Sequence, residues 1–182
     1  MLKENATIKF RRLGIFDERP SFDCGDPDLN EFFLKDSKQG TAELLSVTYA
    51  VEVEEQIVAF FCVSNDAIRS EDTSKSRFKK ICSQIPRNKR YSSMPAVKIG
   101  RLAIATSFQG MGIGTRVIDI IKVWFTEGNK TGCRFIVVDA KNNSNTLRFY
   151  EKNGFSFLDT NSTSEKDSTR LMFFDLLLFK KD

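Results

Sequence analysis

Apolar positions along the chain change period several times, and each change marks an element. Thr7–Phe10 reads as a first strand, and Asp26-Pro27 supplies an N-cap and a first-turn proline for a helix carrying Leu29, Phe32 and Phe33. Thr41–Leu45 follows as a second helix or a loop. Val47–Val53 alternates apolar and polar residues, and after the turn Glu54-Glu55-Gln56 the run Ile57–Ser64 completes an antiparallel hairpin. Ala96–Ile104 is the next strand. A helix from about Gly112 to Glu127 then shows an apolar stripe of Ile113, Val117, Ile120, Ile121, Trp124 and Phe125, with Gly128 as its stop. Phe135–Ala140 is apolar on both alternations except at Asp139, the pattern of a central strand covered on both faces. Asn143 or Ser144 caps a short helix that ends at Gly154. Phe155–Leu158 and Leu171–Phe179 close the chain as strands, with Thr160–Thr169 as their loop. The order β-α-α-β-β-β-α-β-α-β-β describes a mixed α/β fold. With no repeat and no domain-sized linker, 182 residues predict a single domain over 1–182.

Between the strand Ala96–Ile104 and the long helix lies Gln109-Gly110-Met111-Gly112-Ile113-Gly114. Glycines at alternate positions let backbone N–H groups approach an anion without a Cβ in the way, and the helix directs its positive end at the same point. The run lacks the Gly-Lys-Ser/Thr ending of a triphosphatase loop and the last glycine of a dinucleotide fingerprint. A diphosphate-bearing cofactor is the functional reading; a tight, closely packed turn is the structural one.

Composition removes several chemistries. The chain has no histidine, which excludes serine–histidine and cysteine–histidine nucleophiles, histidine bases and the usual zinc sites. Proton transfer falls to Tyr, Glu, Asp, Lys, Cys or water. Cys24, Cys62, Cys82 and Cys133 have no metal-ligand spacing and read as buried free thiols, so no metal is expected. No signal peptide is evident, and Leu171–Phe179, interrupted by Asp175, is too short to span a bilayer. A cytoplasmic protein without membrane partners is expected. The net charge is +4, yet Lys75, Arg77, Lys79, Lys80, Arg87, Lys89 and Arg90 place +7 within Lys75–Arg90, which has no Asp or Glu, leaving −3 elsewhere. This segment reads either as a solvated insertion or as an anion-binding surface for CoA phosphates or nucleic acid.

The glycine loop, the strand before it and the downstream Phe149-Tyr150-Glu151-Lys152-Asn153-Gly154-Phe155 stand in the register of the GNAT superfamily of N-acetyltransferases, which the chain resembles over nearly its whole length. The resemblance implies a mostly antiparallel central sheet flanked by helices and splayed between the strands ending near Ile104 and Ala140. It implies acetyl-CoA as co-substrate: its pyrophosphate on Gln109, Gly110, Met111, Gly112, Ile113, Gly114 and Thr115, and its arm along Leu102, Ala103 and Ile104. Asn143, seven residues before Tyr150, fits the family's asparagine on the CoA arm and equally an ordinary helix cap. Met111 stands where many relatives have Arg or Lys. Phe22-x-Cys24-Gly25, Leu29-Asn30-x-Phe32, Gly100-Arg101-Leu102-Ala103-Ile104 and Thr169-Arg170-Leu171-Met172 are similar to one branch, the acetyltransferase toxins that modify the amino acid on charged tRNA. That branch implies tRNA on the basic segment, an antitoxin and a second copy of the chain as partners. A housekeeping protein, peptide or small-amine acetyltransferase, or a non-catalytic acyl-CoA-binding module, fits the same features.

Tyr150 is the candidate general acid, against a structural reading as one more ring in a core with 17 phenylalanines. A phenol near pKa 10 donating to a thiolate near 8.5 works uphill by ~2 kcal/mol, a small deficit. No base stands out, though Glu43, Glu52 or Glu54 could act through water. An α-amine with pKa near 8 is neutral about a tenth of the time at pH 7, whereas a lysine must lose ~4.6 kcal/mol to deprotonate. An aminoacyl ester or a protein N-terminus is therefore the easier acceptor.

Overall fold

The computed structural model describes residues 7–83, 85–86, 91–129, 131–158 and 167–180. Its strands are β1 (Ile8–Arg12), β2 (Val47–Val53), β3 (Gln56–Arg69), β4 (Ser93–Ile104), β5 (Phe135–Lys141), β6 (Ser156–Phe157) and β7 (Thr169–Asp175). They form a seven-stranded sheet in the order β1-β2-β3-β4-β5-β7-β6. Pairing is antiparallel between β1 and β2, β2 and β3, β5 and β7, and β6 and β7. The helices are α1 (Pro27–Glu31), α2 (Ser37–Ala42), α3 (Lys75–Ile81), α4 (Ile113–Glu127) and α5 (Ser144–Lys152). The chain divides into two compact units, Met1–Ser64 with Ile99–Asp119, and Asn65–Lys98 with Ile120–Asp182. No helix among the described residues is long and apolar enough to cross a membrane.

In the first unit Asp26 caps α1 as its sequence predicts, its carboxylate accepting from the N–H groups of Asp28 and Leu29. The helix then widens into a π-helical turn, Phe32–Asp36, before α2. That turn delivers Phe33 into a cluster with Leu13, Phe22, Ala50, Phe60, Ala103 and Ala105. Phe60 is the centre of the cluster: its ring stacks on Phe33 at 4.8 Å and meets Phe22 edge-on at 5.1 Å. The β2–β3 hairpin turns on two residues, Glu54 and Glu55, with φ of 49° and 67°. Gln56 belongs to the strand rather than to the turn. Two glutamates in left-handed conformations, where Asn-Gly is usual, carry local strain that the paired strands must offset.

The second unit contains the main departure from expectation. Lys75–Arg90 is not only a solvated insertion, since its first half is α3. Ser74 caps that helix by accepting from the Arg77 N–H, and Phe78 and Cys82 enter a core with Ile68, Met94, Ala96, Phe135, Val137 and Leu158. β3 also runs on to Arg69, five residues past the expected end at Ser64. Asp66 there is partnered by Lys98 and Arg69, each at 3.9 Å, so tertiary pairing overrides its low strand propensity. The last strand stops at Asp175, and Leu176–Leu178 forms a 3₁₀ turn. Arg134 grips the Asp175 carboxylate at 2.7 and 2.8 Å, and the same carboxylate caps the Leu177 N–H at 3.0 Å. Of the loop expected over Thr160–Thr169, residues 160–166 lie outside the described residues, and Thr169 already begins β7.

Truncating Phe60 to Ala empties the centre of an aromatic cluster whose rings cannot collapse together. Phe60→Ala is expected to lower unfolding stability by about 3–5 kcal/mol, read from the urea midpoint at unchanged m-value.

Candidate active site

β4 ends at Ile104 and leads through a 3₁₀ turn, Thr106–Phe108, into the glycine loop. Gly110 and Gly112 have φ of +76° and +78°, and Met111 between them does not share the sign. Such alternation is the backbone of an anion-binding concavity. A Cβ built on either glycine meets nothing within 4 Å, so neither is there to let protein atoms pack closely. Their outer faces are open, and conformation alone demands glycine. At these two positions it is the turn's backbone, not close packing against protein atoms, that calls for glycine. Ile113, fully buried, anchors the start of α4, while Met111, Gly112 and Thr115 are exposed. The N–H groups of the first turn of a helix lack intrahelical acceptors, and here they belong to Ile113, Gly114 and Thr115.

The Gln109 side chain is engaged within the protein. Its amide donates to the Cys24 carbonyl at 2.9 Å and to the Ile104 carbonyl at 3.0 Å. The segment it reaches is itself tightly tied. The Thr106 N–H donates to the Asp23 carbonyl, the Cys24 N–H donates to Asn30 Oδ1, and Asn30 Nδ2 donates to the Asp23 carboxylate. The Gly25 N–H, and then Asn30, hold the Asp23 carboxyl below its usual range. Asp23 and Asn30 are thus loop-bracing residues that sequence reasoning had not assigned a role; their signal was the Phe22-x-Cys24-Gly25 and Leu29-Asn30 pattern. Gly100 is explained by close approach, since a Cβ there would stand 3.1 Å from Cys62 Sγ. Arg101 lays its guanidinium 5.3 Å from the Phe32 ring centre. Ala103 is buried, with Leu102 and Ile104 half-buried on either side.

Leu102, Ala103, Ile104 and the whole of Gln109–Thr115 therefore come together in the first unit. Asn143 and Tyr150 lie in the second, at the start and within the body of α5. Asn143 is the N-cap of that helix, its Oδ1 accepting from the Thr146 N–H at 2.9 Å. Tyr150 is 6% exposed, with Phe149 and Phe155 edge-on to its ring at 5.1 and 5.3 Å. Burial pushes its phenol well above the usual range. Burial likewise raises all four thiols, Cys133 to about 11, and the four cysteines form no disulfide. Of the candidate bases, Glu52 is held by Arg11 at 2.8 Å, and Glu43 and Glu54 are exposed.

The acidic exception on the central strand has a setting of its own. A cavity of about 140 Å³ in the second unit is lined by Asp66, Arg69, Asp72, Lys98 and Asp139 among others, and Lys98 Nζ lies 2.5 Å from Asp139. The basic segment splits. Lys75, Lys79 and Lys80 are exposed on α3, but Arg77 turns inward and donates to the Phe157 carbonyl at 2.8 Å. Arg87, Lys89 and Arg90 lie outside the described residues.

The family described as acetyltransferase (GNAT) domain matches residues 45–157. The chain is a GNAT acetyltransferase. Its fold is similar to that of AtaT complexed with acetyl-methionyl-tRNAfMet, at 23% identity over 96% of this chain and 100% of that one, TM-score 0.73. It is also similar to a tyrosine-to-phenylalanine mutant of KacT, at 22% identity over 94% and 96%, TM-score 0.71. A tyrosine-to-phenylalanine mutant of the AtaT toxin bound to the C-terminus of the antitoxin AtaR matches at 21% identity over 97% and 99%, TM-score 0.69. At these identities the likeness is one of fold, and it agrees with the sheet and flanking helices that the sequence resemblance implies.

Because no protein atom faces the missing Cβ of Gly112, Gly112→Ala in this acetyltransferase isolates the conformational term. Stability is expected to fall by about 1–2 kcal/mol, the cost of a left-handed non-glycine residue, as read by chemical denaturation of the ligand-free protein.

Proposed function

We propose that this acetyltransferase, one domain over 1–182, transfers acetyl from acetyl-CoA to the α-amine of an aminoacyl-tRNA. The observation that carries the co-substrate is the loop: two open-faced left-handed glycines at the N-terminus of a fifteen-residue helix. Residues Gly110–Thr115 would hold the pyrophosphate through backbone N–H groups, Gln109 acting as the brace beneath them. When bound, acetyl-CoA supplies an electrophilic thioester and a thiolate leaving group. Tyr150 holds a proton at its phenol oxygen throughout the neutral range, because burial disfavours its anion. The same desolvation widens the uphill gap that ordinary pKa values give, so the donation is productive only to a thiolate that is itself poorly hydrated. Asn143 contributes chiefly by starting the helix on which Tyr150 stands. The acceptor reading is supported by the fold shared with AtaT, by exposed Lys75, Lys79 and Lys80, and by the lower cost of deprotonating an α-amine than a lysine. An antitoxin and a second copy of the chain are the protein partners this reading brings.

Acetyl-CoA is expected to raise the melting temperature by binding the native state preferentially. Gly112→Asp, which sets a carboxylate against the diphosphate, is expected to abolish the shift; a folded variant that keeps it would remove the loop assignment.

Tyr150→Phe should retain the acetyl-CoA melting shift and lose turnover by ~10²–10⁴-fold, measured as thiol release with an amine acceptor. Unchanged turnover would return Tyr150 to a packing role, and no release with any amine would favour a binding module over an enzyme.

Labelled acetyl-CoA offered with charged tRNA, peptides and small amines tests the acceptor directly. If tRNA lies on α3, changing Lys75, Lys79 and Lys80 to Gln flattens the slope of log affinity against log salt by about 0.7–0.9 for each phosphate left without its lysine. Small-amine acetylation and the acetyl-CoA melting shift are expected to stay as they were. A salt-independent KM for the acceptor in the parent protein would count against nucleic acid.

A further inference from the structure

Lysine is seldom buried unless specifically partnered, and Lys122, within α4, is 6% exposed. Its Nζ donates to the Asn153 carbonyl at 2.8 Å and sits 4.3 Å from the centre of the Phe174 ring and 5.5 Å from that of Phe179. Taking an ammonium out of water is costly, and a Met of similar length would fill the space without that cost. What the charge accomplishes is visible in what it holds.

Two routes lead from the ammonium to Tyr150. The first is backbone. Asn153, also buried, uses Nδ2 to donate to the Phe149 carbonyl at 2.8 Å, and its N–H points at the carbonyls of Phe149 and Tyr150 at 3.2 and 3.0 Å. The Phe155 N–H adds a second donor to the Tyr150 carbonyl at 3.0 Å. The last carbonyls of a helix usually face water; here they are gathered by one asparagine, whose own carbonyl is held by a cation at the negative end of α5. The second route is aromatic. The Phe174 ring beneath Lys122 packs on Phe155 at 5.7 Å, and Phe155 meets the Tyr150 ring at 5.3 Å. Gly154, at φ +84°, seats the intervening turn so close to Phe174 that a Cβ would stand 3.0 Å from the ring.

We infer that Lys122 is a positioning residue for Tyr150, fixing the last turn of α5 through Asn153 and Phe174 so that the phenol oxygen stays where its proton is needed. The inference rests on the reading of Tyr150 as proton donor. Freed of the ammonium, the turn retains its rings and its helix but loses the restraint on its carbonyls. A displacement of about 1 Å is enough to cost on the order of 10²-fold in rate.

The test is a cycle of four proteins: parent, Lys122→Met, Tyr150→Phe and the double variant. Each is read by thiol release from acetyl-CoA with methionyl-tRNA, or with the amine that replaces it should the acceptor screen go against tRNA, and by the acetyl-CoA melting shift. Lys122→Met is expected to lower kcat on the order of ten- to a hundredfold with the melting shift and the KM for acetyl-CoA unchanged, and to cost nothing further once Tyr150 is Phe. An equal loss in both backgrounds, or a folded Lys122→Met with parental kcat, would overturn the inference. Should Lys122→Met not fold, Lys122→Arg keeps a cation on Phe174 while altering the donor to Asn153, and the same cycle applies. If Tyr150→Phe alone leaves kcat intact, the proton-donor reading fails first and this inference goes with it. A large Tyr150→Phe effect beside a silent Lys122 variant defeats the inference alone.

Discussion

The Gln109 side chain has two amide protons, and one goes to the Cys24 carbonyl while the other goes to the Ile104 carbonyl. This fork locks the loop to the end of β4 and to the segment before α1 at once. Each bond is worth about 1 kcal/mol net, but its geometric effect is larger than its energy. Gly110 and Gly112 are the freest residues a chain can have, and their left-handed conformations would be sampled rather than held without a rigid neighbour. The brace lets glycines provide an open backbone surface without the disorder glycines bring. Asp23 and Asn30 extend the same logic, because a carboxylate accepting from the Gly25 N–H and from Asn30 fixes the strand of chain that receives Gln109.

The second unit solves an opposite problem. Its α5 carries a tyrosine, the proposed proton donor, that is almost entirely buried. Burial stores the proton by making the phenolate unfavourable, and it requires that every neighbouring polar group be satisfied internally. The backbone around Tyr150 meets that requirement through Asn153 and Phe155, and the rings of Phe149 and Phe155 fix the plane of the phenol. Loop and tyrosine are thus built by different means: one by bracing an open backbone, the other by closing an apolar one.

Those differences decide what was readable from sequence. The hairpin, α4, β5 and the Asp26 cap were legible because local pattern and burial agree there. The glycine loop and Tyr150 were legible as a spaced pair. α3 was missed although Ser74 and the Phe78, Ile81, Cys82 spacing announce a capped amphipathic helix. The run of cations over the same residues reads as solvated surface, and only the tertiary contacts show that Arg77 turns inward while Lys79 and Lys80 do not. The reach of β3 to Arg69 and the early end of β7 at Asp175 were not legible for a related reason. Both depend on ion pairs with residues distant in sequence, Lys98 for Asp66 and Arg134 for Asp175. The bracing bonds of the Gln109 side chain were not legible, because a motif marks where a residue sits and not which carbonyl its amide meets.

The absence of histidine gives these arrangements a common consequence. Without it, no side chain changes charge near neutrality at its ordinary pKa. Burial could have moved another group into that range, but at Tyr150, the thiols and Asp23 the shifts run the other way. Tyr150 and all four thiols are pushed up, and Asp23 is pulled down. A raised phenol or thiol stays protonated through neutral pH, and a lowered carboxyl stays ionised, so each of these groups keeps one charge from mildly acidic to mildly alkaline solution. Under the proposed function the donor, Tyr150, is therefore always loaded, and the group left to titrate near pH 8 is the acceptor's own α-amine. Under that proposal acetylation gains rate as pH rises because more acceptor is neutral, while Tyr150, the thiols and Asp23 keep their charge state. Under the proposed function such an arrangement selects its acceptor in part by basicity: amines that shed their proton easily are favoured over lysine-like ones, without any side chain having to discriminate between them.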